Sequence, residues 1–162
     1  MKKGFSLIEI LVVIGILGVI LAFGMTINLS AFTSGTLQGE ESKIVSVLSR
    51  ARSHAMANMF QTTFGVCYDS TNKNYVIFQG ITCNAGATTS ELIPANKDIA
   101  TDSASNILTA FPIVFEQLTG KPTPTMISVA DAPCLVNEKK VAVAFQGKTS
   151  NICINNEGTI NW

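Results

Sequence analysis

The sequence has little of what catalytic and metal-binding sites are built from. Histidine occurs once, at His54, and its neighbours Ser53 and Ala55 do not supply the other members of a catalytic triad. No C-x-x-C pair and no Gly-rich phosphate loop occurs, which disfavours a zinc site and nucleotide chemistry. We therefore expect no enzymatic activity and no cofactor, and we place His54 at the surface or at a helix–sheet boundary.

An excess of charge of either sign is also missing. The formal net charge is zero, and the basic residues past the N-terminus are dispersed, with none after Lys148. Proteins that bind a nucleic-acid backbone usually gather basic residues on one face. Nucleic acid is therefore a disfavoured partner.

Charge is absent altogether between Ile10 and Gly39, which contain no Asp, Glu, Lys or Arg. The remaining sequence is polar and rich in turn residues, as in an ordinary globular domain. The chain has 162 residues, a length that suits one modest domain and an additional segment. We interpret it as a hydrophobic arm joined to a soluble head.

The apolar arm begins with features that an ordinary membrane anchor lacks. The run from Phe5 to about residue 27 reaches the ~20 residues needed to cross a bilayer core, and Lys2 and Lys3 before it should stay in the cytoplasm, with the head outside. Glu9, however, puts a carboxylate inside the run, where an unpaired charge costs about 2.5–3.5 kcal/mol. The small residue Gly4 precedes the run, whereas a secretory signal has its small-residue cleavage site after it.

Cleavage between Gly4 and Phe5 explains both features. It removes the two lysines and creates a new α-amine on Phe5, while the apolar helix stays attached. That amine supplies the cation that Glu9 lacks, within one chain or between neighbouring chains. Between neighbours the pairing sets axial register, because a slipped arrangement leaves a buried charge without a partner.

The segment Lys3-Gly4-Phe5-Ser6-Leu7-Ile8-Glu9 and its apolar continuation resemble the signal of type IV prepilins and type II secretion pseudopilins. The resemblance implies that a prepilin peptidase cuts after Gly4 and methylates Phe5, and that Glu9 is the assembly carboxylate. It implies a single-pass inner-membrane precursor with a periplasmic head, which an inner-membrane assembly platform adds to a pilus or pseudopilus. Its partners would be other pilin or pseudopilin subunits, contacted through the N-terminal helix.

One departure from that family concerns the middle of the helix. Many major pilins have a proline that kinks it, whereas the stretch around Gly24 has none here. The segment Gly24–Gly39 contains three glycines and several Thr and Ser residues, which are poor helix formers. We expect this segment to be helical in the isolated subunit and to stretch in a filament.

A charged, amphipathic helix follows from Glu40, with apolar residues at three- and four-residue intervals. The stripe consists of Ile44, Val47, Leu48, Ala51, Ala55 and Met59. Glu40 and Glu41 are placed at the start of this helical part, where acidic residues are favourable. The predicted divisions are a leader at 1–4, a transmembrane and filament-core helix at 5–27, its amphipathic continuation at 28–60 and a β head at 61–162.

Four cysteines lie in the head: Cys67, Cys83, Cys134 and Cys153. An even number in an exported domain favours disulfides. Of the three possible pairings, we favour the sequential one, Cys67 with Cys83 and Cys134 with Cys153.

The head changes to strand periodicity after residue 61. A hairpin is predicted over 62–79, followed by a surface excursion at 84–106 and by strands at 111–116, 126–129, 140–145, 152–154 and 159–162. Together, Ala51–Ala55, Phe115–Gly120 and Ile152–Ile160 are similar to the FimT/GspH-like minor pilins. This resemblance implies an α+β fold, with a long N-terminal helix packed on an antiparallel head of two sheets.

The function that these resemblances imply is that of a structural subunit, namely a minor pilin or pseudopilin for filament assembly or for the filament tip. A major pilin is an alternative. A third reading is a minor pilin that binds DNA during uptake, since some FimT-like proteins do so through basic C-terminal residues, which are missing here.

Overall fold

A computed structural model describes residues 6–24, 29–100, 102, 105–123, 134–135 and 138–162. Gly4 and Phe5, the predicted cleavage residues, and the predicted strand at 126–129 lie outside these residues. The chain divides into two compact units, Met1–Phe32 and Thr33–Trp162.

Two helices open the chain, α1 at Leu7–Gly24 and α2 at Leu29–Met56. The predicted membrane segment at 5–27 extends beyond α1 into residues that are not described. Within the described residues, no helix has both the length and the apolar character needed to cross a membrane. A short 3-10 turn, Met59–Gln61, follows α2.

The apolar stripe predicted along α2 is buried for five of its six members: Ile44, Val47, Leu48, Ala51 and Ala55. The sixth, Met59, is 38% exposed, and its assignment to the stripe was wrong. The helix ends at Met56, and Asn58 and Phe60 adopt left-handed φ values of 54° and 56°, which turn the chain away. The segment before Glu40, which was expected to be helical in the isolated subunit, is helical from Leu29 onward, so Glu40 lies inside α2.

The head contains two antiparallel sheets. The strands are β1 at Phe64–Asp69, β2 at Asn74–Gln79, β3 at Glu91–Pro94, β4 at Ile113–Phe115, β5 at Pro122–Thr123, β6 at Glu138–Phe145, β7 at Lys148–Asn155 and β8 at Ile160–Asn161. The first sheet has the order β3-β2-β1-β4-β5 and the second the order β6-β7-β8. The predicted α+β class, with an N-terminal helix followed by two antiparallel sheets, is confirmed.

The predicted hairpin is formed by β1 and β2, in which Tyr68 pairs with Tyr75 and Asp69 with Asn74. Gly65 lies opposite Phe78 in this hairpin, and a Cβ at Gly65 would overlap the Phe78 ring. The glycine therefore gives the aromatic side chain room on the outer face of the sheet.

The segment predicted as a surface excursion, 84–106, is exposed or half-buried along most of its described length, but it contains regular elements. It contains β3, which extends the first sheet, and a short helix α3 at Lys97–Ala100, whose Ile99 is completely buried. A second short helix, α4 at Ile107–Ala110, follows. Asn106 lies along β6, where its side chain accepts a hydrogen bond from the Ala142 N–H and donates one to the Lys140 carbonyl.

One hydrophobic core joins α2 to the inner faces of both sheets. Its fully buried members include Leu48 from α2, Val66 and Ile113 from the first sheet, and Val141 and Ile152 from the second. At roughly 1.5–3 kcal/mol for each large apolar side chain, this burial is what holds the helix against both sheets.

Candidate functional site

Glu9 lies in the first turn of α1, and Ser6 caps the N-terminus of this helix. The Glu9 N–H donates to the Ser6 hydroxyl at 3.3 Å and to the Ser6 carbonyl at 3.1 Å. Ser-x-x-Glu is the spacing of a capping box, in which the serine satisfies a helix N–H that has no partner in the helix. A carboxylate at this position is also favoured by the helix dipole.

The rest of α1 is uniformly apolar and open. All large apolar side chains from Leu7 to Leu21 are exposed, from 49% for Val13 to 82% for Leu7. Glu9 is the one ionisable residue in the sequence of this helix. An apolar environment that covers α1 would therefore also bury the Glu9 carboxylate, which is costly without a partner.

Glu40 is a second carboxylate with an unusual environment, since only 3% of it is exposed. It accepts a hydrogen bond from the Lys43 ammonium at 2.7 Å and another from the Asn96 N–H at 3.0 Å. Lys43 also donates to the Pro94 carbonyl at 3.0 Å. These bonds attach α2 to the chain that follows β3 in the first sheet.

Glu41 faces the second sheet instead. It accepts a hydrogen bond from the Ser150 hydroxyl of β7 at 2.6 Å. About two helical turns before Glu41, Ser34 accepts a hydrogen bond from the Lys148 ammonium at 2.5 Å. These residues line an open groove of about 400 Å³ between α2 and the β6–β7 hairpin, together with Leu37, Gln38 and Thr149.

Burial and the charge of Glu40 perturb both tyrosines of the β1–β2 hairpin. Burial raises the pKa of Tyr75 above its ordinary range, and the nearby Glu40 carboxylate raises it further. Burial also raises the pKa of Tyr68, with additional contributions from Glu40 and Asp69. The tyrosine rings are 5.6 Å apart, and both hydroxyl oxygens are shielded from water.

Near the C-terminal end of α2, the segments Phe115–Gly120 and Ile152–Ile160 contact each other. The Arg52 guanidinium donates to the Glu157 carbonyl at 2.9 Å, and Lys121 forms an ion pair with the Glu157 carboxylate at 3.4 Å. Gly120 and Gly158 are so close that a Cβ on Gly158 would overlap the Gly120 carbonyl oxygen. We call this contact the glycine clasp, and it joins the turn between β4 and β5 to the turn between β7 and β8.

The four cysteines form two disulfides, Cys67–Cys83 and Cys134–Cys153, which is the sequential pairing that the sequence favoured. Glu138 lies near the second disulfide, with its carboxylate within 4.8 Å of the two sulfurs. Because these sulfurs are bonded to each other, they are not available as thiolate ligands. Glu138 instead accepts a hydrogen bond from the Leu135 N–H at 2.9 Å.

His54 is partly buried where α2 meets the first sheet, as its sequence position suggested. Its ring lies 5.3 Å from the Phe64 ring in an edge-to-face arrangement. The contact is one of packing, and it stabilises the helix–sheet boundary.

The polar contacts that the structure shows are only partly those that the sequence indicated. The sequence singled out Glu9, which is the one ionisable residue of α1, and the four cysteines, which pair. It did not identify the bonds of Glu40 and Glu41 across to the sheets. The available signal was two adjacent acidic residues immediately before an apolar stripe.

Comparison with known proteins gives one match. Residues 1–25 match the family described as the prokaryotic N-terminal methylation motif. Neither a curated protein nor a solved structure matches the chain.

Proposed function

From residues 1–25, which carry the N-terminal methylation motif of type IV prepilins and pseudopilins, we propose that this chain is a minor subunit of a pilus or pseudopilus. The motif is that of a family of structural subunits that assemble with one another. In this proposal the inner-membrane precursor is cut between Gly4 and Phe5 by a prepilin peptidase. Phe5 is methylated, and the assembly platform then adds the subunit to the filament through its N-terminal helix.

The observation that carries the proposal is the single carboxylate on an otherwise apolar, exposed helix. Glu9 lies in the first turn of α1, four positions from the α-amine that cleavage would place on Phe5. When filament neighbours cover the apolar side chains, water leaves the carboxylate as well. A cation from a chain end then offsets a desolvation cost that is several kcal/mol for an unpaired ion.

The FimT/GspH-like minor subunit is the form of this proposal that the head supports. Two of the segments that resemble those proteins, Phe115–Gly120 and Ile152–Ile160, meet at the glycine clasp beside Arg52. Two segments that are distant in sequence thus form one contact, which involves both sheets and α2. A shared need for that contact is a physical reason for the resemblance.

The test is mass spectrometry of sheared filaments from cells that produce the natural chain. We expect a mature N-terminus at Phe5 with one added methyl group, both disulfides, and an abundance far below that of the principal subunit. Recovery of the chain with its first four residues intact would sink the proposal. An abundance equal to that of the principal subunit would instead assign it as a major pilin.

A matched pair of variants tests the role of the carboxylate. Glu9→Gln keeps the size and hydrogen-bonding capacity of the side chain but removes its charge, and we expect at least a tenfold loss of subunit from sheared filaments. Glu91→Gln is the control, because Glu91 is an exposed head residue paired with Arg50, and exposed pairs contribute little. Equal incorporation of both variants, at equal membrane levels of precursor, would contradict the assigned role of Glu9.

A further inference from the structure

Residues 33–41 of α2 have low helix propensity, but they make several contacts with the head. Residues 33–41 include Gly35 and Gly39 together with several hydroxyl residues, and glycine is among the least favourable residues in a helix interior. A Cβ at either glycine would meet only open space, so close packing does not explain the glycines. Another interaction must keep this segment helical.

The β6–β7 hairpin supplies that interaction. Gln146 and Gly147 form its turn with positive φ values of 49° and 80°, which suit a tight turn between antiparallel strands. Lys148 and Ser150 follow at alternate positions of β7, so their side chains leave the same face of the sheet. Lys148 bonds Ser34 at 2.5 Å, and Ser150 bonds Glu41 at 2.6 Å.

The two bonds bracket the weak segment. Ser34 and Glu41 lie seven residues apart in sequence, which is about two helical turns, so they share one face of α2. Leu37 lies between them on the same face and is 6% exposed. The segment is therefore fixed at both ends and in the middle, and Thr33 next to Ser34 is also buried, with 8% of it exposed.

We propose that the β6–β7 hairpin is a latch that keeps residues 33–41 of α2 helical. The latch is the pair of contacts Lys148–Ser34 and Ser150–Glu41. It holds the part of α2 that belongs to the unit Thr33–Trp162. Resting on the proposed function, this confines any stretching of the 24–39 segment during filament assembly to residues before Thr33.

Amide hydrogen exchange of the full chain in detergent micelles tests the latch, because the latch and helix propensity predict opposite changes in the exchange rate. Ser34→Ala replaces a serine by a better helix former, so propensity alone would slow amide exchange in residues 35–41. Loss of a charge-assisted hydrogen bond acts in the opposite direction and is the larger effect. We expect exchange about tenfold faster in Ser34→Ala. In the control, Ser46→Ala at an exposed position of the same helix, exchange should be unchanged or slower.

A double variant checks that the contact itself is responsible. Lys148→Met should also speed exchange in residues 35–41, and the effects of Ser34→Ala and Lys148→Met should be less than additive in the double variant, because both changes remove the same Lys148–Ser34 bond. Exchange in β1 and β2 should stay unchanged and shows that the head is folded. Ser34→Ala behaving like Ser46→Ala would overturn the latch.

The filament consequence has its own readout. In a map of the assembled filament, the backbone should be helical from Thr33 onward, and an extended backbone within 33–41 would contradict the latch. A chain that never enters filaments would instead contradict the proposed function and leave the exchange result standing. The two failures are therefore distinguishable.

Discussion

Glu40 and Glu41 are adjacent in sequence but stabilise contacts with different sheets. Successive residues of an α-helix point about 100° apart, so Glu40 faces Asn96 after β3 and Glu41 faces Ser150 in β7. Each carboxylate is buried and each has a hydrogen-bond donor. The pair thereby fixes the rotation of α2 about its own axis, since a small rotation would remove both carboxylates from their partners.

The buried carboxylate has a consequence for the chain's only two tyrosines, Tyr68 and Tyr75. Burial and the Glu40 charge raise the pKa of both hydroxyls. In a spectroscopic titration of the native protein, we expect tyrosinate absorbance to appear only above the ordinary tyrosine pKa of about 10. The same titration in denaturant should show both tyrosines ionising near that ordinary value.

The sign of the linked stability follows from proton binding. Above pH of about 10 the folded protein keeps protons that the unfolded chain loses, so the free energy of unfolding falls as pH rises through that range. Tyr75→Phe should weaken this dependence more than Tyr68→Phe, because Tyr75 is completely buried. Native tyrosines that ionise together near the ordinary value would contradict the buried environment.

Sequence reasoning at the residue scale reached Glu9 and the cysteines because each stands out against its surroundings. A lone acid in an apolar run needs a cation, and an even number of cysteines in an exported head pairs. Glu40 offered no such contrast, because an acidic residue on a charged helix is ordinary. Its hydrogen-bond partner Asn96 is distant in the chain and is brought close only by the fold.

At the scale of elements, the glycine clasp joins the turns of the two sheets near the end of α2. Gly158 has φ of +78°, and a Cβ there would overlap the Gly120 carbonyl and approach Arg52. Gly147, in the β6–β7 turn, has nearly the same φ of +80° but open space around it. Substitution of Gly147 therefore introduces backbone strain alone, whereas substitution of Gly158 introduces both strain and crowding.

We expect Gly147→Ala to cost about 1–2 kcal/mol of unfolding free energy, the usual penalty for a left-handed alanine. Gly158→Ala should cost about 1–3 kcal/mol more, because overpacking is added. Denaturant unfolding of both variants in micelles, with the natural chain alongside, measures the difference. Equal costs would show that the two turns can separate without loss.

Sequence periodicity predicted elements well where one face is buried and the run is long. The α2 stripe and the β1–β2 hairpin follow that rule. β3 and α3 were missed because each has four residues, too short for a period to be visible. The end of α2 was also missed, since Asn58 and Phe60 adopt left-handed backbone with no glycine to signal it.

At the scale of the whole molecule, the two units differ in what surrounds their apolar side chains. In Thr33–Trp162 most of the buried apolar residues form a shared core, and two disulfides join cysteines 16 and 19 residues apart in sequence. In the described part of Met1–Phe32 the apolar residues of α1 are exposed. One unit therefore has what it needs to fold alone, whereas the other needs an apolar environment from outside.

This difference predicts how the chain responds to truncation. A protein that begins at Thr33 retains every buried side chain described in α2, and we expect it to fold with both disulfides and a single cooperative transition. A protein that begins at Ser42 loses Leu37, Glu40 and Glu41, and should be less stable by more than about 3 kcal/mol, since loss of a buried leucine side chain alone typically costs 2–5 kcal/mol. Urea unfolding of the two truncated proteins measures this difference. Equal midpoints would mean that residues 33–41 contribute nothing to the head, and the boundary at Thr33 would then be wrong.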